Sequence, residues 1–195
     1  MLSIHRLIVL AGLTAGLALA APAPDDRLPD LVIVDRGELL LAAGDVSYRA
    51  WHYPQTPGKV HVVQYLAATR SASEINKPFT DRMKIELPQN GEFLSTTILN
   101  LDEAMWGTTA LVIRELESNK QQFPRAVLVA DADGVGLREW ALEKDSSTVI
   151  VTDPQGVVRY FHQGPMPAAE IESTLSLIRS YIAGPDRAAA FPASG

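Results

Sequence analysis

A group of polar residues, Arg70, Ser71 and Ser73, follows a strongly apolar segment at 60–66. That segment is rich in β-branched and aromatic residues and has too few polar positions for alternation, which favours a strand buried on both faces. The Ser-x-x-Glu spacing at 71–74 predicts a capping box and a helix that begins there. Because a helix N-terminus carries unpaired amides and a positive dipole end, this turn is a candidate anion or partner site. A plain helix cap at Ser71 is the alternative.

Other patterns that could do chemistry are weak. Asp131, Asp133 and Gly134 have a faint likeness to a calcium loop, but further oxygen ligands and a closing glutamate are missing, so we predict a plain β-turn. The chain has no Gly-rich phosphate loop, Gly-x-Ser-x-Gly elbow or His-Glu-x-x-His pair. The histidines beyond residue 20 lack metal-ligand spacing: His52, His61 and His162. We therefore expect no metal, no cofactor and no assigned catalytic residue.

Acidic and aromatic residues elsewhere receive structural predictions. Asp102 and Glu103 come directly after a predicted strand, where a capping or solvated role accounts for them. Trp51, Trp106 and Trp140 are predicted to be core or rim aromatics.

Cysteine is absent from all 195 residues. The chain therefore has no thiolate nucleophile, no thiolate metal ligand and no disulfide. Because thiol-disulfide exchange needs an attacking thiolate, we predict that the protein is not a thiol-disulfide oxidoreductase. Its stability must come from an ordinary hydrophobic core.

Residues 1–20 have the composition of a secretory signal peptide. His5 and Arg6 give a weakly basic start, residues 7–17 are apolar, and small residues at 18–20 fit a cleavage position. The apolar run is shorter than the roughly 20 residues that span a bilayer, which makes a membrane anchor the less favoured alternative. We predict cleavage after residue 20, export, and no stable membrane insertion afterwards.

Loss of residues 1–20 removes one arginine and leaves 16 basic and 23 acidic side chains, a formal charge of −7. A nucleic-acid partner is disfavoured by that charge. The length suits one domain, which we place at 28–183 after a flexible leader at 21–27 and before a disordered tail at 184–195.

The predicted elements alternate between strands and helices. Turn signals, caps and periodicity give them as follows: a hairpin of 31–34 and 38–41 around Asp35-Arg36-Gly37, a strand or helix at 47–51, a strand at 60–66, a helix from 71 interrupted by Pro78, a strand at 94–101, a helix from Thr108 or Thr109 to 120 with Ala110, Ile113 and Leu116 inward, a strand at 127–130, a hairpin of 148–152 and 157–162, and a helix at 167–182.

The order of these elements is that of a thioredoxin domain with an insertion, and two sequence stretches add detail to this resemblance. Residues 62–73 resemble the strand and active-site turn of periplasmic thiol-disulfide reductases, with Arg70 and Ser73 standing where that family has its two cysteines. Residues 147–156 resemble the strand that carries the reductases' cis-proline, and Ser147 stands in the proline's place. The resemblance implies an α/β, thioredoxin-like three-layer sandwich, a central mixed sheet flanked by helices, with an added N-terminal β-hairpin.

A closer resemblance is to the YtfJ-like family of bacterial periplasmic proteins, over roughly 28–183. The stretches that carry it are 34–39, 96–104, 116–120, 131–140 and 146–156. This resemblance implies the same fold and a periplasmic location, and it brings no catalytic residue with it.

Two functions of different class follow as hypotheses. The first is a periplasmic binding or accessory module whose partner is a protein or a small anionic ligand, with Arg70, Ser71, Ser73 and Ser147 as candidate contacts. The second is an enzyme that holds an anionic substrate at the helix N-terminus near Arg70. A structural role in envelope stress tolerance is a third possibility. An uncovered apolar patch would favour a protein partner.

Overall fold

The computed structural model describes residues 20–54, 58–88 and 91–184. The predicted signal peptide, apart from Ala20, and the predicted tail, apart from Gly184, lie outside the described residues. Within the described ranges no helix is both long and apolar enough to cross a membrane.

The domain is built on one seven-stranded mixed sheet in the order β2-β1-β5-β4-β3-β6-β7. β3, β4 and β5 run parallel, and the other neighbours are antiparallel. The strands are β1 Leu31–Ala42, β2 Asp45–Tyr53, β3 Val60–Ala67, β4 Phe93–Asn100, β5 Val127–Asp131, β6 Ser147–Thr152 and β7 Val158–Gln163. The helices are α1 Arg70–Ile75, α2 Lys77–Glu86, α3 Thr109–Gln122, α4 Val135–Glu139 and α5 Ala168–Ala183, with a 3₁₀ turn at Leu101–Glu103.

Helices cover both faces of the sheet. Because side chains alternate along a strand, Val62 and Val63 of β3 point to opposite faces. Val62 packs in the cluster that holds the buried residues of α2 and α5, and Val63 packs in the cluster that includes Trp140 beside α4. Leu116 of α3 packs in a third cluster with neighbouring parts of β1 and β5. This arrangement is the predicted three-layer sandwich.

The N-terminal hairpin is present, but its turn was predicted in the wrong place. β1 runs on through Asp35-Arg36-Gly37 and turns into β2 at Ala43-Gly44. The register of β1 against β2 shifts between Ile33 and Glu38, so the predicted turn is a bulge. Gly37 has φ 72°, and a Cβ there would lie 2.2 Å from the Arg49 carbonyl oxygen. The close approach of β2 therefore requires the glycine.

Two further segments differ from expectation. Ala110, predicted to face inward, is exposed, whereas Leu116, also predicted to face inward, is buried together with Lys120. Residues 21–27, expected to form a flexible leader, contact the β6–β7 hairpin: the Asp25 amide donates to the Val158 carbonyl at 2.8 Å, and Arg27 forms a β-bridge with Val157.

Candidate functional site

The turn after β3 presents three of the four predicted site residues to solvent. Arg70, Ser71 and Ser73 are all exposed. The helix they open, α1, has six residues, and its N-cap is Thr69, whose hydroxyl oxygen accepts from the Ala72 amide at 3.2 Å. The capping box predicted at Ser71 is therefore wrong by two residues. The Ser71 hydroxyl contacts the Thr69 hydroxyl at 3.1 Å and caps no amide.

Ser147 is the predicted site residue that the structure keeps away from this surface. It is fully buried, and its hydroxyl oxygen accepts from Asn76 Nδ2 at 3.0 Å. Asn76, itself buried, also donates to the Gly164 carbonyl at 3.0 Å and accepts from the Met166 amide at 3.0 Å. Ser147 thus helps to join α1 to the segment that precedes α5.

The carboxylates near this edge of the sheet bind backbone amides and neighbouring side chains. Glu103 accepts from the Asp145 amide at 2.7 Å and from Asn100 Nδ2 at 2.8 Å. Asp131 is fully buried, accepts from two amides at the start of α4, and accepts from the Tyr65 hydroxyl at 2.8 Å. Burial first, and then the Asp131 charge, raise the pKa of Tyr65 well above its usual range. These groups hold the fold together.

Three large apolar side chains lie uncovered at the same edge. Trp106 is 100% exposed, Met105 70% and Leu111 65%. Because β3 and β4 are parallel neighbours, with Ala67 beside Asn100, the segments that follow both strands emerge at one edge of the sheet. We call Arg70, Met105, Trp106 and Leu111 the strand-end surface.

A cavity of about 300 Å³ lies at the opposite edge, where β3 begins and β6 ends. It is lined by charged, aromatic and small residues: Arg27, Leu28, Asp30, Tyr53, Pro54, Lys59, His61, Thr152, Asp153, Pro154, Gln155 and Gly156. Among the described residues, no group of three or more histidines and carboxylates is placed to hold a metal ion. The cavity shares no residue with the predicted turn site.

Comparison with known sequences decides the family. Over residues 23–181 the chain matches the sequence model of the family described as "Bacterial protein of unknown function (YtfJ_HI0045)". The chain belongs to this family. It is 35% identical to the protein YtfJ of Escherichia coli (strain K12) over 156 residues, which cover 80% of this chain and 85% of that relative. It is also 29% identical to an uncharacterized Haemophilus influenzae protein over 154 residues, 79% of this chain and 84% of the relative.

Solved structures share the fold at low sequence identity. A structure described as a thiol:disulfide interchange protein DsbE from Chlorobium tepidum superposes with a TM-score of 0.57 at 16% identity, covering 83% of this chain and 99% of that one. The thioredoxin domain of a thiol-disulfide oxidoreductase from Bacteroides vulgatus gives a TM-score of 0.54 at 12% identity, covering 82% and 100%. The predicted thioredoxin-like fold and the predicted family are both confirmed.

For two residues of this YtfJ family member, the sequence patterns did not predict the environment that the structure shows. Trp106 was predicted to be a core or rim aromatic, and it is fully exposed, whereas Trp51 and Trp140 are buried. No apolar period includes Trp106, and the adjacent Gly107 was the sole local sign of a loop. His61 was dismissed for lack of metal spacing, although a histidine inside an apolar strand must be buried and therefore needs a hydrogen-bond partner.

Proposed function

We propose that the chain is an exported binding module that docks a protein partner on the strand-end surface and does not exchange thiols and disulfides. The lack of cysteine supports the second part, because exchange proceeds through an attacking thiolate. The composition of residues 1–20 supports export to the periplasm. If the chain is exported and cleaved as predicted, protein recovered from the periplasm should have the intact mass of a chain that begins at Ala21.

The complete exposure of Trp106 carries the proposal. A tryptophan left in water beside Met105 and Leu111 forgoes the favourable burial that a side chain of this size normally contributes, about 25 cal/mol per Å² of apolar area. Tryptophan and arginine dominate the binding energy of protein interfaces, where they fill desolvated pockets. A partner that buries Trp106 recovers the burial energy which the fold leaves unused.

Arg70 indicates the chemistry of that partner. It is exposed and has no ion-pair partner among the described residues, in a chain whose predicted mature charge is −7. An acidic segment would gain a favourable charge contact at Arg70 while an apolar side chain beside it covers Trp106. The partner is therefore expected to present an apolar group flanked by carboxylates.

An enzyme that holds an anionic substrate at the start of α1 receives less support. The helix has only six residues, and the Thr69 side chain already occupies one of its first amides. Glu103, the half-buried carboxylate of the neighbouring 3₁₀ turn, is bound to the Asp145 amide and to Asn100. A general base must be within hydrogen-bond reach of the proton it takes, and this carboxylate is already used in holding the fold.

The test compares two variants that each remove one exposed apolar side chain. Tagged wild-type protein, Trp106→Ala and Ile85→Ala are used to capture partners from the same periplasmic extract, and captured proteins are quantified by mass spectrometry. Ile85 on α2 is 83% exposed and lies outside the strand-end surface, which makes it the matched control. We expect Trp106→Ala to lower capture of a specific partner about tenfold or more, since interface hot spots contribute at least ~2 kcal/mol. Ile85→Ala should capture it at wild-type strength.

Equal capture by wild-type protein and Trp106→Ala would contradict docking at this surface. Arg70→Glu provides a second variant of the same surface, and we expect it to weaken capture through charge repulsion with an acidic partner. Both substitutions change exposed side chains, so neither should alter the melting temperature appreciably.

A further inference from the structure

The cavity at the start of β3 has the dimensions and walls of a small-molecule site. Its volume of about 300 Å³ is at the lower end of the range of ligand pockets, ~300–1,000 Å³. The rings of Tyr53 and His61 stack in its wall, with centroids 5.5 Å apart and planes 26° from parallel. Leu28 and two prolines add apolar surface. Tyr53 and His61 are each 4% exposed, so the aromatic surface open to a ligand is small and suits contact with one small flat group.

His61 is a buried polar group that faces this cavity. It is 4% exposed, and its Nε2 lies 2.8 Å from Thr96 Oγ1. Among the described residues its other ring nitrogen, Nδ1, has no hydrogen-bond partner. Among the described residues, the unpaired side-chain atoms sealed from solvent are Trp51 Nε1 and Thr174 Oγ1, and Nδ1 is not one of them. Because His61 lines the cavity, we take the cavity as the space that Nδ1 faces.

The Thr96 contact favours one position for the proton of the neutral His61 ring. Thr96 is fully buried, and within the described part of the chain His61 is its one side-chain partner. If His61 donated through Nε2, the buried Thr96 hydroxyl proton would have no acceptor, which is unfavourable for a buried polar group. The satisfied arrangement has Thr96 donating to Nε2, so that the proton of the neutral ring is on Nδ1. The cavity then contains an unused N–H donor.

Arg27 adds a positive charge at the mouth of the cavity. A Cβ built on Gly156 would lie 3.5 Å from Arg27 Nη1 and 3.9 Å from the Tyr53 hydroxyl, so the guanidinium and the phenol converge on one place. Within the described ranges Arg27 has no ion-pair partner. The nearby Asp153 is occupied, because it accepts from the Gln155 and Val157 amides and from Arg159.

Lys59 and Asp30 are the remaining charged groups of the lining. Lys59 donates to the Gly91 carbonyl at 2.6 Å, and Asp30 is exposed. Among the described lining residues, His61 Nδ1 and the Arg27 guanidinium are two groups without a hydrogen-bond or ion-pair partner, and the aromatic wall lies beside them.

We propose that this cavity binds a small organic anion with a flat apolar body. Its anionic group accepts hydrogen bonds from Arg27 and from His61 Nδ1–H, and its flat body packs against Tyr53. This site is separate from the strand-end surface, because the two lie at opposite ends of β3. Failure of one proposal consequently leaves the other standing.

The first test uses three simple probes and the purified protein, with binding followed by calorimetry and by two-dimensional NMR. Benzoate has both the charge and the flat body, benzamide has the body without the charge, and acetate has the charge without the body. We expect saturable benzoate binding that perturbs Tyr53, His61 and Gly156, with benzamide and acetate each at least about fivefold weaker. Arg27→Gln should weaken benzoate binding about tenfold, since the variant loses the charge-assisted hydrogen bond to the carboxylate. Arg114→Gln, which removes an exposed arginine of α3, should bind benzoate as the wild type does.

The second test reads the His61 tautomer directly from the ring ¹⁵N shifts of the unliganded protein at pH 7. We expect the proton on Nδ1, and a shift of that nitrogen when benzoate binds. A proton on Nε2 would overturn the donor assignment. Absence of saturable benzoate binding, or equal benzoate affinity in Arg27→Gln and Arg114→Gln, would overturn the site.

Discussion

At the scale of the residue, the burial of His61 makes the free energy of unfolding depend on pH. Burial lowers the pKa of His61 to about 4, from an ordinary value of 6.5. Between these values the unfolded chain binds a proton that the folded protein does not bind. The free energy of unfolding therefore falls as pH falls through this window.

The expected size can be measured against a variant. Between pH 7 and pH 5 the His61 contribution is about 2 kcal/mol, from the shift and 1.36 kcal/mol per pKa unit. Urea unfolding of His61→Gln should show a pH dependence smaller than that of the wild type by about this amount, because carboxylates contribute equally to both proteins. The charged groups that share the cavity with His61 are Arg27, Asp30, Lys59 and Asp153, and the variant retains them all. Identical slopes for the two proteins would show that His61 titrates normally.

At the scale of the element, the start of α1 shows what a local pattern can and cannot determine. The Ser-x-x-Glu spacing correctly predicted a helix after β3, yet the structure uses Thr69 as the cap. Capping depends on which residue leaves the strand in an extended conformation, and Thr69, with φ −123° and ψ 151°, is that residue. The break before α2 was easier to predict, because Pro78 fits only the first turn of a helix.

Helix capping gives a matched pair of substitutions. Thr69→Ala removes the side chain that accepts from the Ala72 amide, so we expect a loss of about 1 kcal/mol in the free energy of unfolding. Ser71→Ala, two residues away and exposed, should change it by less than about 0.5 kcal/mol. Urea denaturation of both variants measures the difference. A larger loss in Ser71→Ala than in Thr69→Ala would restore the capping box first predicted from the sequence.

The N-terminal hairpin was predicted correctly in kind and wrongly in detail for a physical reason. A turn and a bulge both need positive φ, and Arg36 and Gly37 have φ 60° and 72°. Their local sequence therefore cannot distinguish the two. The distinction depends on β2. The Arg49 carbonyl of β2 lies too close to Gly37 to leave room for a side chain there, and β1 stays paired with β2 as far as Ala42. Strand pairing of this kind depends on both strands, so the residues of one strand alone do not predict it.

At the scale of the whole molecule, the fold followed from the order of elements and the resemblance, whereas the surfaces did not. Buried β3, the β6–β7 hairpin and α5 carry strong local signals, and the structure contains each of them. The exposure of Trp106 and the shape of the cavity at His61 depend on which distant segments pack over them and which do not. Such outcomes arise from packing between distant parts of the chain, so a sequence motif does not report them.

The strand-end surface and the cavity lie in two separate regions of the molecule, at opposite ends of β3. In the resemblance to thiol-disulfide reductases, Arg70 and Ser73 take the positions of the two reductase cysteines after β3, and this chain contains no cysteine. In its place that end offers an exposed tryptophan and a cation. We therefore propose protein docking through Trp106 as the way in which this chain acts.

The most direct measurement places a photo-crosslinking amino acid at position 106 in living cells, with the same amino acid at position 85 as control. Both native side chains are exposed, at 100% and 83%, so neither replacement should disturb the fold. We expect position 106 to yield a discrete crosslinked partner in the periplasm and position 85 to yield none. Absence of any crosslink at 106, or the same pattern of crosslinks at both positions, would contradict docking at the strand-end surface.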